Sequence, residues 1–281
     1  MNFYIEVDNI IRRALHEDIG DGDHTTLSCV PYEAQGCARL MVKEEGIIAG
    51  VEVAGRILDI VDKSLEIKYL IGDGEKVNVG DIVFTVCGSS HSILMAERLV
   101  LNIMQRMSGI ATNTSRYVEE LKGLSTKVLD TRKTSPGLRI LEKRAVKIGG
   151  GENHRIGLYD MILIKDNHID FSGGTENALN KAVSYLNMIG KKIPIEIEVR
   201  NFDELNEVLK FGKVDRIMLD NFTVEKTREA VALINQRFEV ESSGGITLEN
   251  IRQYAECGVD YVSVGELTHR IESLDLSLKA F

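Results

Sequence analysis

The chain has 281 residues, 43% hydrophobic and 27% charged, with 25 Gly, three Pro and no Trp. This is a globular mixture with enough length for a real core, and it excludes collagen-like and disordered classes. A formal charge of −9 argues against a nucleic-acid partner, because phosphate backbones demand a basic face.

Residues 5 to 16 place Ile10, Ile11 and Leu15 at helical spacing, and HEDIGDGDHTT then breaks that helix with two glycines and four acids. From Ala38 to Ser92 the texture is short β-like runs (ARLMVK, GIIAGV, LEIKYL, DIVFTVCG, SILM) separated by Gly and Asp. Gly72, Gly74 and Gly80 read as turn residues there. A helical segment, AERLVLNIMQRMSGIATNTSRYVEELKGL, follows and reads as interrupted at Ser108-Gly109.

Beyond it short apolar strands recur at Lys127–Asp130, Met161–Lys165, Pro194–Val199, Arg216–Asp220, Phe238–Glu241 and Tyr261–Val264. Segments such as TENALNKAVSYLNMIG, FDELNEVLKFG and TVEKTREAVALINQ lie between them with helical patterning. Strand and helix in alternation signal βαβ units and a parallel sheet. No GxGxxG opens the first unit, which disfavours a dinucleotide fold and with it an NAD-dependent oxidoreductase. A β/α barrel is the better reading.

Charge is unevenly spread. Between residues 126 and 168 nine Lys/Arg face five Asp/Glu, so this window stands at +4 and the remainder at −13. A basic island in an acidic chain suggests a pocket for a small anion, although a solvated helix face is the plainer alternative. Cys29, Cys37, Cys87 and Cys257 are widely spaced with no CxxC pair, so reduced core thiols are expected, without a zinc finger or disulfide scaffold. The first twenty residues lack an apolar stretch of signal-peptide length, and no run of about 18 apolar residues occurs anywhere. A cytoplasmic protein with no membrane partner is expected.

In a barrel the active site lies where strands end, at the C-terminal face. The residues there are Asp130-Thr131-Arg132-Lys133, Lys165-Asp166-Asn167-His168, Glu196 and Glu198, Asp220-Asn221, Glu241-Ser242-Ser243-Gly244-Gly245, and Gly265-Glu266. Cations at two ends, carboxylates at two more and glycines at the last two suit a multiply anionic substrate together with a metal. Glycine loops after the last two strands let the backbone approach a phosphate. Glu198 and Asp220 could hold Mg²⁺ or bond ribose hydroxyls. GGGENHRIG gives a flexible entry to His154 and Arg155.

The motifs DTRKTSPGLR, GGGENHRIGL, ILIKDNH, LDNF, ESSGGI and VGELTH, with ALHEDIGDGDHTT and NIMQRMSGIAT before them, resemble the quinolinate phosphoribosyltransferase family. They run in order from about residue 14 to 270. The resemblance implies an N-terminal α/β sandwich domain (1–107), an incomplete β/α barrel (108–270) and a tail (271–281) returning to the first domain. This is the type II phosphoribosyltransferase architecture. It implies the substrates quinolinate and 5-phosphoribosyl 1-pyrophosphate, Mg²⁺ as cofactor, and at least a dimer, with hexamers as a larger assembly. Arg106 would reach the partner subunit's site. Arg132, His154, Arg155 and Lys165 would surround the quinolinate carboxylates, and Lys133 would join Lys165 on the phosphates. Glu198 and Asp220 would face ribose and metal, and Ser243, Gly244 and Gly265 would take the 5′-phosphate. The catalytic set is then Lys133, Lys165, Glu198 and Asp220. Competing readings are a paralogue linked to molybdenum transport, with another acceptor, and a non-catalytic sensor of phosphate ligands.

Overall fold

The structure is a computed structural model describing residues 3–281. The first stretch forms α1 (Phe3–Ile19), α2 (His24–Cys29), β1 (Gln35–Val42), β2 (Gly46–Ile47), α3 (Val51–Val61), β3 (Glu66–Tyr69), β4 (Lys76–Val77), β5 (Ile82–Ser89) and α4 (Ser90–Glu120). Strands and helices then alternate: β6 (Lys127–Leu129), α5 (Arg139–Ile148), β7 (Ile162–Ile164), α6 (Asp166–Ser172), α7 (Thr175–Ile189), β8 (Ile195–Val199) and α8 (Phe202–Phe211). The chain closes with β9 (Arg216–Asp220), α9 (Val224–Ile234), β10 (Glu239–Ser243), α10 (Ile251–Ala255), β11 (Tyr261–Ser263), α11 (Glu266–His269) and β12 (Leu276–Ala280).

These elements fall into two compact units, one of residues 1–115, 134–150 and 267–281 and the other of 116–133 and 151–266. The boundaries expected at 107/108 and 270/271 therefore sit beside a different partition. The segment 134–150, with α5, belongs to the first unit although its neighbours in sequence belong to the second.

The first unit is built on an antiparallel sheet of order β12-β1-β5-β3. The C-terminal strand pairs with β1, placing Leu278 opposite Leu40. Apolar residues at helical spacing, Val7, Ile10, Ile11 and Leu15 on α1 and Val51, Ala54, Ile57 and Leu58 on α3, are buried.

Three sequence expectations are corrected here. GIIAGV and SILM do not form full strands: only Gly46–Ile47 is extended, α3 starts at Val51, and SILM opens α4. The α3 start is stabilised by Asp73, whose Oδ1 accepts the Val51 N–H at 2.8 Å, a cap from 22 residues away that no local pattern announces. Second, α4 is unbroken through Ser108-Gly109. Ser108 Oγ instead bonds the Ala49 main chain, and a Cβ at Gly109 would collide with the Glu272 carbonyl, so the glycine serves close packing. Third, Cys37 and Cys87 form a disulfide. They stand directly opposite each other across β1 and β5, a juxtaposition created by pairing and hidden by their 50-residue separation.

The second unit carries a parallel sheet of order β6-β11-β10-β9-β8-β7. Read as a ring, the strands follow sequence order and close everywhere except between β6 and β7, the geometry of an incomplete β/α barrel. Glu152 lies beside β6 as an isolated parallel bridge to Leu129, bonding through its N–H to Val128 O at 2.8 Å. The residues after it, Asn153-His154-Arg155, are therefore held at the sheet's end.

Two helices of this unit start and stop for local reasons. Asn201 caps α8 by accepting the Glu204 N–H at 2.9 Å, and Gly212 ends it with φ 72°. Thr223 caps α9, which ends at the left-handed Asn235. Among the described residues no helix is long and apolar enough to cross a membrane.

Deleting residues 274–281 would uncover Leu40 and remove Leu274, Leu276 and Leu278, all buried. Losing several buried leucines, each contributing about 2–3 kcal/mol, is expected to unfold the first unit while the parallel sheet persists. Differential scanning calorimetry of the truncated chain checks this through loss of one transition.

Candidate active site

The second unit gathers most of the expected residues at the C-terminal ends of its strands. Arg132 and Lys133 follow β6, Lys165 follows β7, Glu198 and Asp220 lie on β8 and β9, and Ser243 ends β10 with Gly244 after it. Gly265 follows β11 and precedes α11. Strand β10 runs two residues further than its sequence pattern suggests, so Ser243 is in the sheet, paired with Asp220.

Two clusters result. In the first, Lys165 Nζ donates to Glu198 Oε2 at 2.8 Å, with the lysine exposed and the glutamate buried. The Asp220 carboxyl is raised above the usual range by burial and then by the negative charge of Glu198, while Asn221 Nδ2 donates to its Oδ2 at 2.7 Å. Asn221 has φ 55°, and a Cβ on Gly244, itself at φ 91°, would strike the Asn221 Oδ1. That glycine is thus required for the two strand ends to close over one another.

In the second cluster, the Arg155 guanidinium is depressed first by burial and then by the nearby positive charge of Arg132. Arg155 Nη1 also donates to Met161 O at 3.3 Å, which aims the side chain. Two guanidiniums close enough to repel are costly alone and suited to a ligand with two carboxylates.

His154 is 8% exposed and turns inward, with Nε2 at 3.0 Å from Glu196 Oε2 and 3.5 Å from Glu241 Oε2. Neither carboxylate has any exposure. Arg216 Nη1 donates to Glu241 Oε2 at 3.1 Å, and its guanidinium lies 3.9 Å from the Tyr261 ring centroid. Glu196 and Glu241 were visible as strand-end acids, but Arg216 was missed as part of this group. Its signal was the alternation in RIMLD and PIEIEV, where period two sends Arg216, Glu196 and Glu198 to one face.

Arg106 belongs to the first unit, not to this cluster. Its Nε and Nη2 donate to Glu142 Oε1 at 2.9 and 2.7 Å, and Nη2 also reaches Ser135 Oγ at 2.9 Å. Glu142 is 1% exposed and also accepts the Ser135 N–H.

Patterns for the C-terminal and N-terminal domains of quinolinate phosphoribosyl transferase match residues 110–279 and 23–108. The chain belongs to the quinolinate phosphoribosyltransferase family. It is 45% identical to quinolinate phosphoribosyltransferase [decarboxylating] 1b of Nicotiana tabacum over 98% of this chain and 82% of that one. Identity is 40% to the probable nicotinate-nucleotide pyrophosphorylase [carboxylating] of Synechocystis, over 98% and 93%. Among solved structures, NadC from Streptococcus pyogenes superposes with a TM-score of 0.93 at 39% identity, over 98% of this chain and 96% of that one. The nicotinate-nucleotide pyrophosphorylase of Francisella tularensis gives 0.91 at 40%, over 98% and 96%. The family membership agrees with the two-part α/β architecture and the incomplete barrel.

Burial pushes the Glu241 carboxyl up to about 8, helped by the charge of Glu196, and pushes Glu196 up to about 7. These acids bind protons in the folded chain that they lose when unfolded, so stability is greatest at low pH within this window. It should fall as pH rises from about 4.5, their ordinary value, to about 8. Thermal melts of the wild type are expected to show this decline, and Glu241→Gln should flatten it.

Proposed function

We propose that this chain transfers the phosphoribosyl group of 5-phosphoribosyl 1-pyrophosphate to quinolinate, releasing pyrophosphate and CO₂ and giving nicotinate mononucleotide. The observation that carries the reading is that the Arg132–Arg155 pair and the Lys165–Glu198–Asp220 group both stand at strand ends of one parallel sheet. Quinolinate has two adjacent carboxylates, and each guanidinium fork can take one bidentately. A carrier of a single carboxylate would leave one of these cations unanswered, which favours quinolinate over nicotinate as acceptor.

In the reaction the ring nitrogen bonds to the ribose C1 while the C1–pyrophosphate bond breaks, its electron pair leaving with the pyrophosphate. Positive charge develops on C1, and Glu198 and Asp220 are the carboxylates that stabilise it. Lys133 and Lys165 neutralise the departing phosphates. The alkylated ring nitrogen is cationic and draws the electrons of the C2–carboxylate bond as CO₂ departs, and a proton then closes C2. The protein orients two anions and excludes water, with no covalent intermediate. Ser243, Gly244 and Gly265 receive the 5′-phosphate through main-chain N–H groups and the Ser243 hydroxyl.

Glu198 and Asp220 fit a divalent cation, since the charge of one raises the carboxyl of the other, a repulsion that a hard ion relieves. When bound, Mg²⁺ supplies charge neutralisation to the leaving pyrophosphate. Arg106, outside this unit, is assigned by motif to the site of a partner subunit in a homodimer, with hexamers as the larger assembly. The cytoplasm is its compartment on this reading, since phosphorylated substrate and product cross no bilayer unaided.

The deciding experiment follows CO₂ from carboxyl-labelled quinolinate with and without phosphoribosyl pyrophosphate and Mg²⁺. Release requiring all components, matched by nicotinate mononucleotide, is expected; no release from folded protein would move the reading to another acceptor. Arg132→Ala should weaken quinolinate binding by about 1.5–3 kcal/mol, the range for a hydrogen bond to a charged group, since Arg132 is exposed. Calorimetric titration checks it, and an unchanged affinity would remove Arg132 from the carboxylate site. Mixing Arg106→Ala with Lys165→Ala chains should restore activity through hybrid sites, and no rescue despite subunit exchange would refute the shared site.

A further inference from the structure

The buried group formed by His154, Glu196, Glu241 and Arg216 is joined to the carboxylate-binding arm by an unbroken chain of contacts. Asp130, itself fully buried, accepts the His154 N–H at 2.9 Å through Oδ1 and the Asn153 side-chain amide at 2.8 Å through Oδ2. The Arg155 N–H donates to His154 Nδ1 at 2.7 Å. A ring nitrogen that accepts cannot carry the proton, so the proton of the neutral ring sits on Nε2, the nitrogen that faces the two glutamates. The imidazole is therefore held from both ends: one nitrogen fixes the main chain of Arg155 and the other points into the barrel.

From this geometry we infer that Glu196 and Glu241 are positioning residues for the acceptor. They seize the His154 ring inside the barrel, and His154 in turn fixes the backbone from which Arg155 meets a quinolinate carboxylate. The inference rests on the quinolinate reading above. Packing alone gives no reason for two acids here, because barrel interiors are normally filled by branched apolar side chains and buried charge is costly. Arg216 holds Glu241 at 3.1 Å, and that salt bridge keeps the acid in place for His154. The donor atoms of His154, Glu196 and Glu241 lie within 4.8 Å of one another, a spacing that could also suit a metal. The cluster already has its cations, however: Arg216 bonds Glu241, and the charges of Arg216 and Arg155 both act on Glu196.

The test uses Glu196→Gln and Glu241→Gln in the full chain, substitutions that keep shape and replace the carboxyl by an amide. Steady-state kinetics should show the quinolinate KM raised on the order of 10- to 100-fold, the loss that follows a small misplacement of a binding group. The KM for phosphoribosyl pyrophosphate should stay within about twofold, since Glu198 and Ser243, two residues further along the same strands, are held by Lys165 and by the pairing of Ser243 with Asp220. In a His154→Ala background Glu241→Gln should add nothing further to the quinolinate KM. Should the Gln variants fail to fold, His154→Gln cuts the same link from the loop side and is expected to give the same quinolinate-selective loss. Equal losses for both substrates, additive effects in the double variant, or unchanged kinetics would each overturn the inference. So would one tightly held metal ion per wild-type chain that the Gln variants lose. A wild-type chain that neither binds quinolinate nor decarboxylates it fells the functional reading instead.

Discussion

Acids on the inner side of a parallel barrel need buried cations to hold them, and much of the second unit is arranged around that need. Period-two alternation puts Glu196, Arg216 and Glu239 in register across β8, β9 and β10, so each carboxylate has a guanidinium beside it. Arg216 is the shared member: it bonds Glu239 and Glu241 and stacks on Tyr261. Without it, two fully buried carboxyls would face each other beside the imidazole of His154, with the charge of Arg155 acting on Glu196. Desolvation raises both acids, so the arrangement is stable only as a set.

The same strands separate structure from chemistry by two residues. On β8, Glu196 lies deep and meets His154, whereas Glu198, one pleat further on, meets Lys165. On β9, Arg216 belongs to the buried group and Asp220 to the strand-end group. A strand advances by roughly 6–7 Å over two residues, enough to move a side chain from the barrel interior to its mouth. The gap between β6 and β7 serves the same division, because the bridge at Glu152 places Asn153, His154 and Arg155 where a closed barrel would have another strand.

The first unit follows other rules. Its sheet is antiparallel, and its outer strand comes from the end of the chain, so completing that sheet waits for residues 276–280. Its polar anchors are similarly distant in sequence: Asp73 caps α3, Ser108 bonds Ala49, and Glu142 ties Arg106 to Ser135. A disulfide joins Cys37 and Cys87 across neighbouring strands.

Local pattern determined the six parallel strands and most helices after them, because a βαβ unit buries a continuous apolar run, and helices such as α8 and α9 are capped by residues a few positions away. It also determined which residues end the strands, and with them Arg132, Lys165, Glu198, Asp220 and Ser243. The GGGENHRIG run pointed to His154 and Arg155, and the family motifs added Arg106 and the reaction. What the sequence left open were matters of partner choice. Where the GIIAGV run gave way to helix depended on a cap from Asp73, and whether Gly109 broke a helix depended on the Glu272 carbonyl beside it. Whether two cysteines met depended on β1 pairing β5, and whether His154 turned outward or inward depended on carboxylates 42 and 87 residues further on. Hydrophobic periodicity reports on burial along a single segment, whereas these outcomes were set by which polar groups tertiary pairing brought within bonding distance.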